Sequence, residues 1–421
     1  MNSHGNAWYK LQNVSPMLKI ISGIKTSKMK GRKEMKKEFA MIGIGNCGSQ
    51  ITWLMEQRYS NLFDTIYINT SDTDLSMVGE GTIKFKIGDR DEIEGTGANR
   101  FKMKNYIREE LDVILTREDF KSLIKEKRYV FIVVSTAGGT GSGAGPGLMY
   151  VLKNCFPDTH FILVAVLPQI QANEGNQQNT EEFLSELYND LDDDTVYMIY
   201  DNETRSQFSD TECLELVNDG IVEDLRILTC IDNYPTPYDS IDKADMESII
   251  KEPGRLLVTR IKKGLTEKVL EDASIDDIII KAIKQSCHTE TDRNKRVAKW
   301  GIISYFTQEV NKLYQSKLEK LCDFVGTPIE RFNHNAVNDK GEAHNFLYLV
   351  ASGLSPINDR SKKIAERIQE LRRAKATDES SKYVSNEDHE YNEILARKKE
   401  IQKLKREEQI KPKTLFDKFI K

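Results

Sequence analysis

The chain has 421 residues, of which 39% are hydrophobic and 30% charged, with a formal net charge of −5. That length accommodates about two to three domains with sizeable cores, and no apolar run approaches the roughly 20 residues of a membrane span or forms a secretory leader. Six cysteines without Cys-x-x-Cys spacing and six histidines without ligand spacing argue against a metal site or a disulfide framework, and predict reduced thiols in a cytoplasmic protein.

Residues 1–36 read as a basic N-terminal extension, with lysines concentrated between Lys19 and Lys37. Apolar runs then alternate with helical patterns. Strands are predicted at 39–44, 65–69, 130–135, 160–167 and 195–200, and helices at 105–115 and 180–191. This alternation implies a doubly wound, mostly parallel α/β sheet over residues 37–208, with ligands beyond the carboxyl ends of the strands. A long central helix is predicted at 211–230, within a connector 209–236, with Leu214, Val217, Ile221, Val222 and Leu225 on one apolar stripe. Tyr234-Pro-Thr-Pro237 then marks a boundary. A second, smaller α/β domain follows over 237–376, with strands at 300–307 and 346–351 and a helix at 364–376. The pattern lapses over 377–386, and residues 377–421 read as a charged helical tail with an apolar tip at Leu415, Phe416, Phe419 and Ile420. A basic tail on an acidic body suits an anionic partner, and equally a solvated helix.

The loops after the strands carry the chemistry. Gly43, Gly45 and Gly48 fit Gly-x-Gly-x-x-Gly, a weak signal for a dinucleotide-binding oxidoreductase. Ile68-Asn69-Thr70-Ser71-Asp72-Thr73-Asp74-Leu75 stands at the end of the second strand, where a Rossmann fold would carry its acidic ribose ligand. Glu94-Gly-Thr-Gly97-Ala98-Asn99-Arg100 reads by itself as a surface turn. Gly138-Gly139-Thr140-Gly141-Ser142-Gly143 follows the most apolar strand and precedes a helix expected to open near Pro146. Four glycines in six residues let backbone approach a ligand closely, and the hydroxyls of Thr140 and Ser142 are expected to face a phosphate at the helix N-terminus. No lysine follows, so this is not a Walker loop. Asp242 and Asp245, three residues apart at a helix start, read by themselves as favourable charge for the helix dipole.

Taken together, these loops resemble those of the tubulin/FtsZ superfamily of GTPases, in family order over about the first 250 residues. Gly45-Asn46-Cys47-Gly48-Ser49-Gln50 is similar to the first nucleotide loop of tubulin, and the stretch from Ile68 to Leu75, with Asn69 and Asp72, to FtsZ's phosphate- and magnesium-facing second loop, Asn-Thr-Asp-x-x-x-Leu. Gly97, Ala98 and Asn99 resemble the loop covering the γ-phosphate, and Gly138–Gly143 resembles the signature loop. The resemblance makes Glu174 a ribose ligand, with Gln178 where FtsZ carries an arginine. It makes Asn202 and Asn218 readers of guanine, with Leu214 where the family stacks an aromatic ring. Asp242 and Asp245 match the two acids of the FtsZ synergy loop, which makes them catalytic residues that polarise the attacking water in the next subunit's pocket, although Ser240 replaces the loop's asparagine. The C-terminal strand and charged helix look like those of plasmid and phage tubulins of the TubZ type.

The resemblance implies GTP/GDP with Mg²⁺ and a head-to-tail homopolymer that hydrolyses GTP at subunit junctions. It further implies movement of plasmid or phage DNA through a DNA-binding adaptor on the tail. Neither membrane association nor direct sequence-specific nucleic-acid binding is expected. A cell-division filament and a replication-control or structural protein with little hydrolysis are the alternatives.

Overall fold

The computed structural model describes residues 37–79, 82–88, 95–229, 236, 240–261, 286–288, 290–293, 295–307, 325–340 and 345–381. The basic extension, most of the 234–237 boundary and the tail beyond 381 lie outside the described residues. The strands are β1 (Phe39–Ile44), β2 (Phe63–Asn69), β3 (Ile83–Lys86), β4 (Tyr129–Ser135), β5 (His160–Leu167), β6 (Val196–Asp201), β7 (Gly254–Ile261), β8 (Arg296–Phe306), β9 (Thr327–Val337) and β10 (Phe346–Leu354). They form one ten-stranded sheet of order β3-β2-β1-β4-β5-β6-β7-β10-β8-β9.

From β3 to β7 every neighbouring pair is parallel, whereas β10 runs antiparallel to both β7 and β8. Parallel strands buried on both faces need apolar residues at every position, and the inner strands have them. In β4, Val130, Ile132 and Val134 enter the core on one face, while Tyr129, Phe131 and Val133 enter the core on the other. The first face is covered by α3 (Arg100–Thr116), α4 (Glu118–Lys125), α5 (Gly139–Cys155), α6 (Glu174–Asn189) and α9 (Asn358–Ser381). The second is covered by α1 (Gly45–Tyr59), α7 (Asp210–Ile227) and α8 (Lys243–Ile250). A short helix, α2 (Asp72–Ser76), follows β2. Among the described residues no helix is long and apolar enough to cross a membrane.

Several expectations are corrected. Helix α5 opens at Gly139 rather than near Pro146, so the glycine run is itself helical. Pro146 lies inside this helix and has no N–H for the Ser142 carbonyl; Arg100 Nη2 donates to that oxygen instead, at 2.9 Å. Helix α9 continues into the expected break as far as Ser381, the last described residue. Leu214 stands 45% exposed, outside the buried stripe formed by Val217, Ile221, Val222 and Leu225.

Candidate functional site

Strand β1 lies between β2 and β4, so successive crossovers leave it in opposite directions. This is the switch point at which doubly wound sheets open a crevice. Here the crevice is a cleft of about 300 Å³ at the carboxyl ends of β1, β2 and β4, lined by Ile44, Asn69 and Ser135 from the strand ends. Gly45, Asn46, Cys47, Thr70, Ser71, Asp74, Gly95, Gly138, Gly139, Thr140 and Gly141 complete it.

Its floor is the start of α5. Gly138 caps this helix without a side-chain acceptor, and no acidic residue stands in the first turn. The first N–H groups of a helix have no partner within it and carry the positive end of its dipole. The cleft is therefore built to receive an anion. The glycines are required by close approach. A Cβ on Gly139 would lie 2.2 Å from Thr96 Oγ1 and 2.7 Å from Asn99 N, and one on Gly141 would lie 3.1 Å from Ser135 N. Gly45, at φ +70°, brings the first loop within 3.2 Å of Gly141 N by the same measure.

The predicted hydroxyls divide. Thr140 Oγ1 shares hydrogen bonds with Thr70 Oγ1 at 3.1 Å and Thr96 Oγ1 at 3.4 Å, tying three loops together. Ser142 is buried and its hydroxyl donates back to the Gly138 carbonyl, while Gly143 packs against α3, where a Cβ would meet Arg100 O at 2.4 Å. Asn46 lines the cleft and accepts from Gln50 Nε2 at 2.9 Å, with Gln50 one turn further along the exposed face of α1. Burial pushes the Cys47 thiol up to about 12, so it stays protonated. Asn69 is buried and donates to Asp74 Oδ2 at 3.1 Å. Asp74 is thus the carboxylate at the cleft, whereas Asp72 is exposed and pairs with Lys86 at 2.6 Å. Gly97, Ala98 and Asn99 form an exposed segment over the start of α5, with Asn99 capping α3 through Lys102 N at 3.0 Å.

Glu174 opens α6 outside the cleft lining, and α9 holds its carboxylate through Lys375 and through Arg372 Nε at 3.3 Å. The hydrogen bond from Lys375, with Arg372 beside it, keeps this carboxyl below the usual range. Asn202 follows β6, its backbone carbonyl accepting from Cys213 Sγ at 3.3 Å on α7. Its side-chain Oδ1 is buried without a partner, and Asn202 lies outside the cleft lining. Asn218 is half-buried on α7, and Leu214 stands exposed one turn earlier.

Residues 38–209 match the family model described as "Tubulin/FtsZ family, GTPase domain". This segment is a tubulin/FtsZ-family GTPase domain. The chain is 22% identical over 276 residues to the tubulin-like protein CetZ of Pyrococcus horikoshii, covering 63% of this chain and 71% of that one. Its fold is that of the TubZ crystal structure from Clostridium botulinum phage c-st, with TM-score 0.64 and 19% identity over 81% of this chain and 100% of that one. It is also that of TubZ from Bacillus thuringiensis serovar israelensis, solved as a GTPγS-form protofilament, with TM-score 0.63, 14% identity, and 82% and 96% of the two chains covered. A domain of this family binds GTP and GDP, and the bare first turn of α5 fits their phosphates.

Asp242 and Asp245 sit far from the GTPase domain's cleft. Asp242 caps α8, its Oδ1 accepting from Ala244 N at 2.7 Å and Asp245 N at 2.8 Å, and Asp245 Oδ2 accepts from Asp242 N at 3.1 Å. Next to them, Lys243 pairs at 3.4 Å with Glu38, which precedes β1, and Glu247 pairs with Arg128, which precedes β4. Helix α8 therefore lies at the amino ends of the strands whose carboxyl ends form the cleft. A strand rises about 3.3 Å per residue, so the six-residue β1 separates the two by roughly 20 Å.

Sequence reasoning included Thr70, Asp74 and Thr96 in its loops without giving them roles, and it passed over Asn179. Asn179, buried on α6, bridges the cover segment and the segment before α5. Only the acidic spacing 72–74 left a local signal, since a hydroxyl or amide that ties distant loops has no sequence pattern of its own.

Proposed function

We propose that this chain is a GTP-dependent, self-assembling filament protein that hydrolyses GTP where the cleft of one subunit meets α8 of the next. What supports the reading most is the roughly 20 Å between Asp242/Asp245 and the cleft of their own chain. Those carboxylates reach a cleft only when copies stack head to tail, and a heterologous contact of this kind repeats into an open filament.

In this reading the N–H groups of Gly138, Gly139, Thr140 and Gly141 hold the phosphates from the α5 terminus, beside Gly45, Asn46, Cys47 and Gln50. Gly97, Ala98 and Asn99 cover the γ-phosphate, Glu174 meets the ribose, and Asn202 and Asn218 read the guanine edge through paired donors and acceptors. Asp74, oriented by Asn69, is the group that would hold Mg²⁺, a cation that keeps most of its waters and needs one or two carboxylates. When bound, Mg²⁺ supplies charge neutralisation to the transferring phosphoryl group. Asp242 and Asp245 of the neighbouring subunit orient a water and accept its proton as its oxygen attacks the γ-phosphorus. The bond to the bridging oxygen breaks and GDP departs.

The filament acts in the cytoplasm and positions plasmid or phage DNA through a DNA-binding adaptor bound to the tail. The lysine clusters between 382 and 421 and the fold likeness to a phage TubZ support this. One observation favours a second reading, a tubulin-fold scaffold with little hydrolysis: both carboxylates are already engaged in capping α8.

Purified chain given GTP and Mg²⁺ tests both. Pelleting and phosphate release that rise together above one critical concentration are expected. Pelleting without phosphate release would select the scaffold, and phosphate release per subunit independent of concentration would overturn the shared site.

A further inference from the structure

The segment covering the α5 terminus is held in an unusual backbone shape. Gly95, Gly97 and Ala98 have φ of +90°, +57° and +60°, and Ala98 is the non-glycine residue with positive φ among those described. Left-handed backbone is unfavourable for an alanine, so the surroundings must enforce it.

Three ties do so. Gly95 N donates to Thr70 O at 3.3 Å. Arg100, buried at the far end of the segment, forms ion pairs with Glu186 of α6 at 2.8 Å and donates to Ser142 O at 2.9 Å. Between them, Asn179 of α6 donates through Nδ2 to Ala98 O at 2.8 Å and to Ala137 O at 2.9 Å. One amide nitrogen therefore joins the cover segment to the residue just before the helix cap Gly138. The other two ties fix the ends of the segment; Asn179 alone among them grips the strained residue itself. Asn179 is 8% exposed and sits beside Gln177 and Thr180, which hold the neighbouring loop at Gln169 O (2.8 Å) and Thr136 Oγ1 (3.0 Å). The first turns of α6 thus arrange the mouth of the cleft.

We propose that Asn179 is a positioning residue that clamps the cover segment shut over the α5 terminus, and that this clamp sets the preference for a nucleoside triphosphate over a diphosphate. The proposal rests on the reading above in which segment 95–99 meets the terminal phosphate. The β-phosphate is held by the helix terminus whether or not the cover is closed. The third phosphate gains its contacts only from a cover already in place, since a loop that must be ordered on binding subtracts that cost from affinity.

The test compares equilibrium binding of GTPγS and GDP to the full chain, wild type against Asn179→Ala and the near-isosteric Asn179→Asp, whose ionised carboxylate cannot donate. Two buried hydrogen bonds are removed, so GTPγS affinity is expected to fall about ten- to a hundredfold while GDP affinity changes less than about threefold. GDP binding retained by the variants also reports that they are folded. Equal losses for both nucleotides, or no loss for either, would overturn the clamp and make Asn179 a structural residue. Wild-type protein that binds neither nucleotide would instead overturn the functional reading on which the clamp depends.

Discussion

Replacing Asp242 and Asp245 together by asparagine separates their two roles. An asparagine Oδ1 accepts the same backbone hydrogen bonds, and asparagine caps helices about as well as aspartate, so the reciprocal box at the start of α8 survives. What disappears is two negative charges at a helix N-terminus, each worth about 0.3–1 kcal/mol at an exposed site. The urea midpoint should therefore move little. The loss of a general base is of another order, roughly 10²- to 10⁴-fold in rate. The expected result is a protein that binds GTP with wild-type affinity, pellets at a similar or lower critical concentration, and releases phosphate at least a hundredfold more slowly per polymerised subunit. Filaments that no longer convert their nucleotide should also persist after free GTP is exhausted. Phosphate release that stays within about threefold of wild type in pelleted material would refute the assignment, because neither carboxylate would then be acting on water. Loss of GTP binding would refute the geometry instead, since a change roughly 20 Å from the cleft of the same chain should not reach it.

Two further outcomes follow from buried polar groups. Arg360 anchors α9 by pairing with Asp201 at 2.7 Å, with both side chains 3% exposed or less, so Arg360→Gln leaves a buried carboxylate uncompensated. It should cost about 3–5 kcal/mol, read as a lowered urea midpoint, and an unchanged midpoint would show that Asp201 is satisfied by Glu203 N alone. Burial holds the His288 and His160 imidazoles neutral, down to about 4 in each case. Between about pH 4 and 6.5 the unfolded chain binds protons that the native state refuses, so stability is lost as pH falls through that window, by up to about 1.4 kcal/mol per unit for each group. A urea midpoint that is flat from pH 7 to pH 5 would contradict neutral, buried imidazoles.

The strands that could be read locally are those buried on both faces. β1, β4, β5 and β6 are nearly continuous apolar runs, and their positions match the sequence reading to within two residues. β3, β7 and β9 escaped it for physical reasons. β3 alternates lysine with apolar residues at the sheet edge. β7 carries Arg255, whose guanidinium is buried by donating to Ser355 O and Glu290 O, partners that no local pattern announces. β9 lies on the other edge, with its first residues mostly exposed. The glycine-rich stretch misled in the opposite direction. Glycine read locally signals a loop, yet here it removes Cβ atoms where a helix presses on neighbouring backbone, as at Gly143 against Arg100 O. In the site, the glycine loops and the residues at the strand ends were legible. The ties between loops, Thr70 to Thr140 and Asn179 to Ala98, were not, because they exist only once the sheet has brought residues 70, 98 and 140 to one edge.

The capping box on α8 bears on catalysis as well as on folding. Asp242 accepts both of its backbone bonds through Oδ1, and Asp245 accepts its bond through Oδ2. A carboxylate offers about four lone-pair sites over two oxygens, so capping engages one oxygen of each residue and leaves Asp242 Oδ2 and Asp245 Oδ1 outside the cap. The cap thereby fixes each side chain in one rotamer, removing the conformational freedom that an exposed aspartate would have to surrender when a neighbour's cleft arrives. A helix terminus with a well-made cap and a pair of aimed carboxylates are, in this geometry, the same object. The engaged oxygens favour the scaffold only if the two oxygens outside the cap fail to meet a water at the junction, and the charge-removing asparagine pair, which keeps the cap, isolates that question.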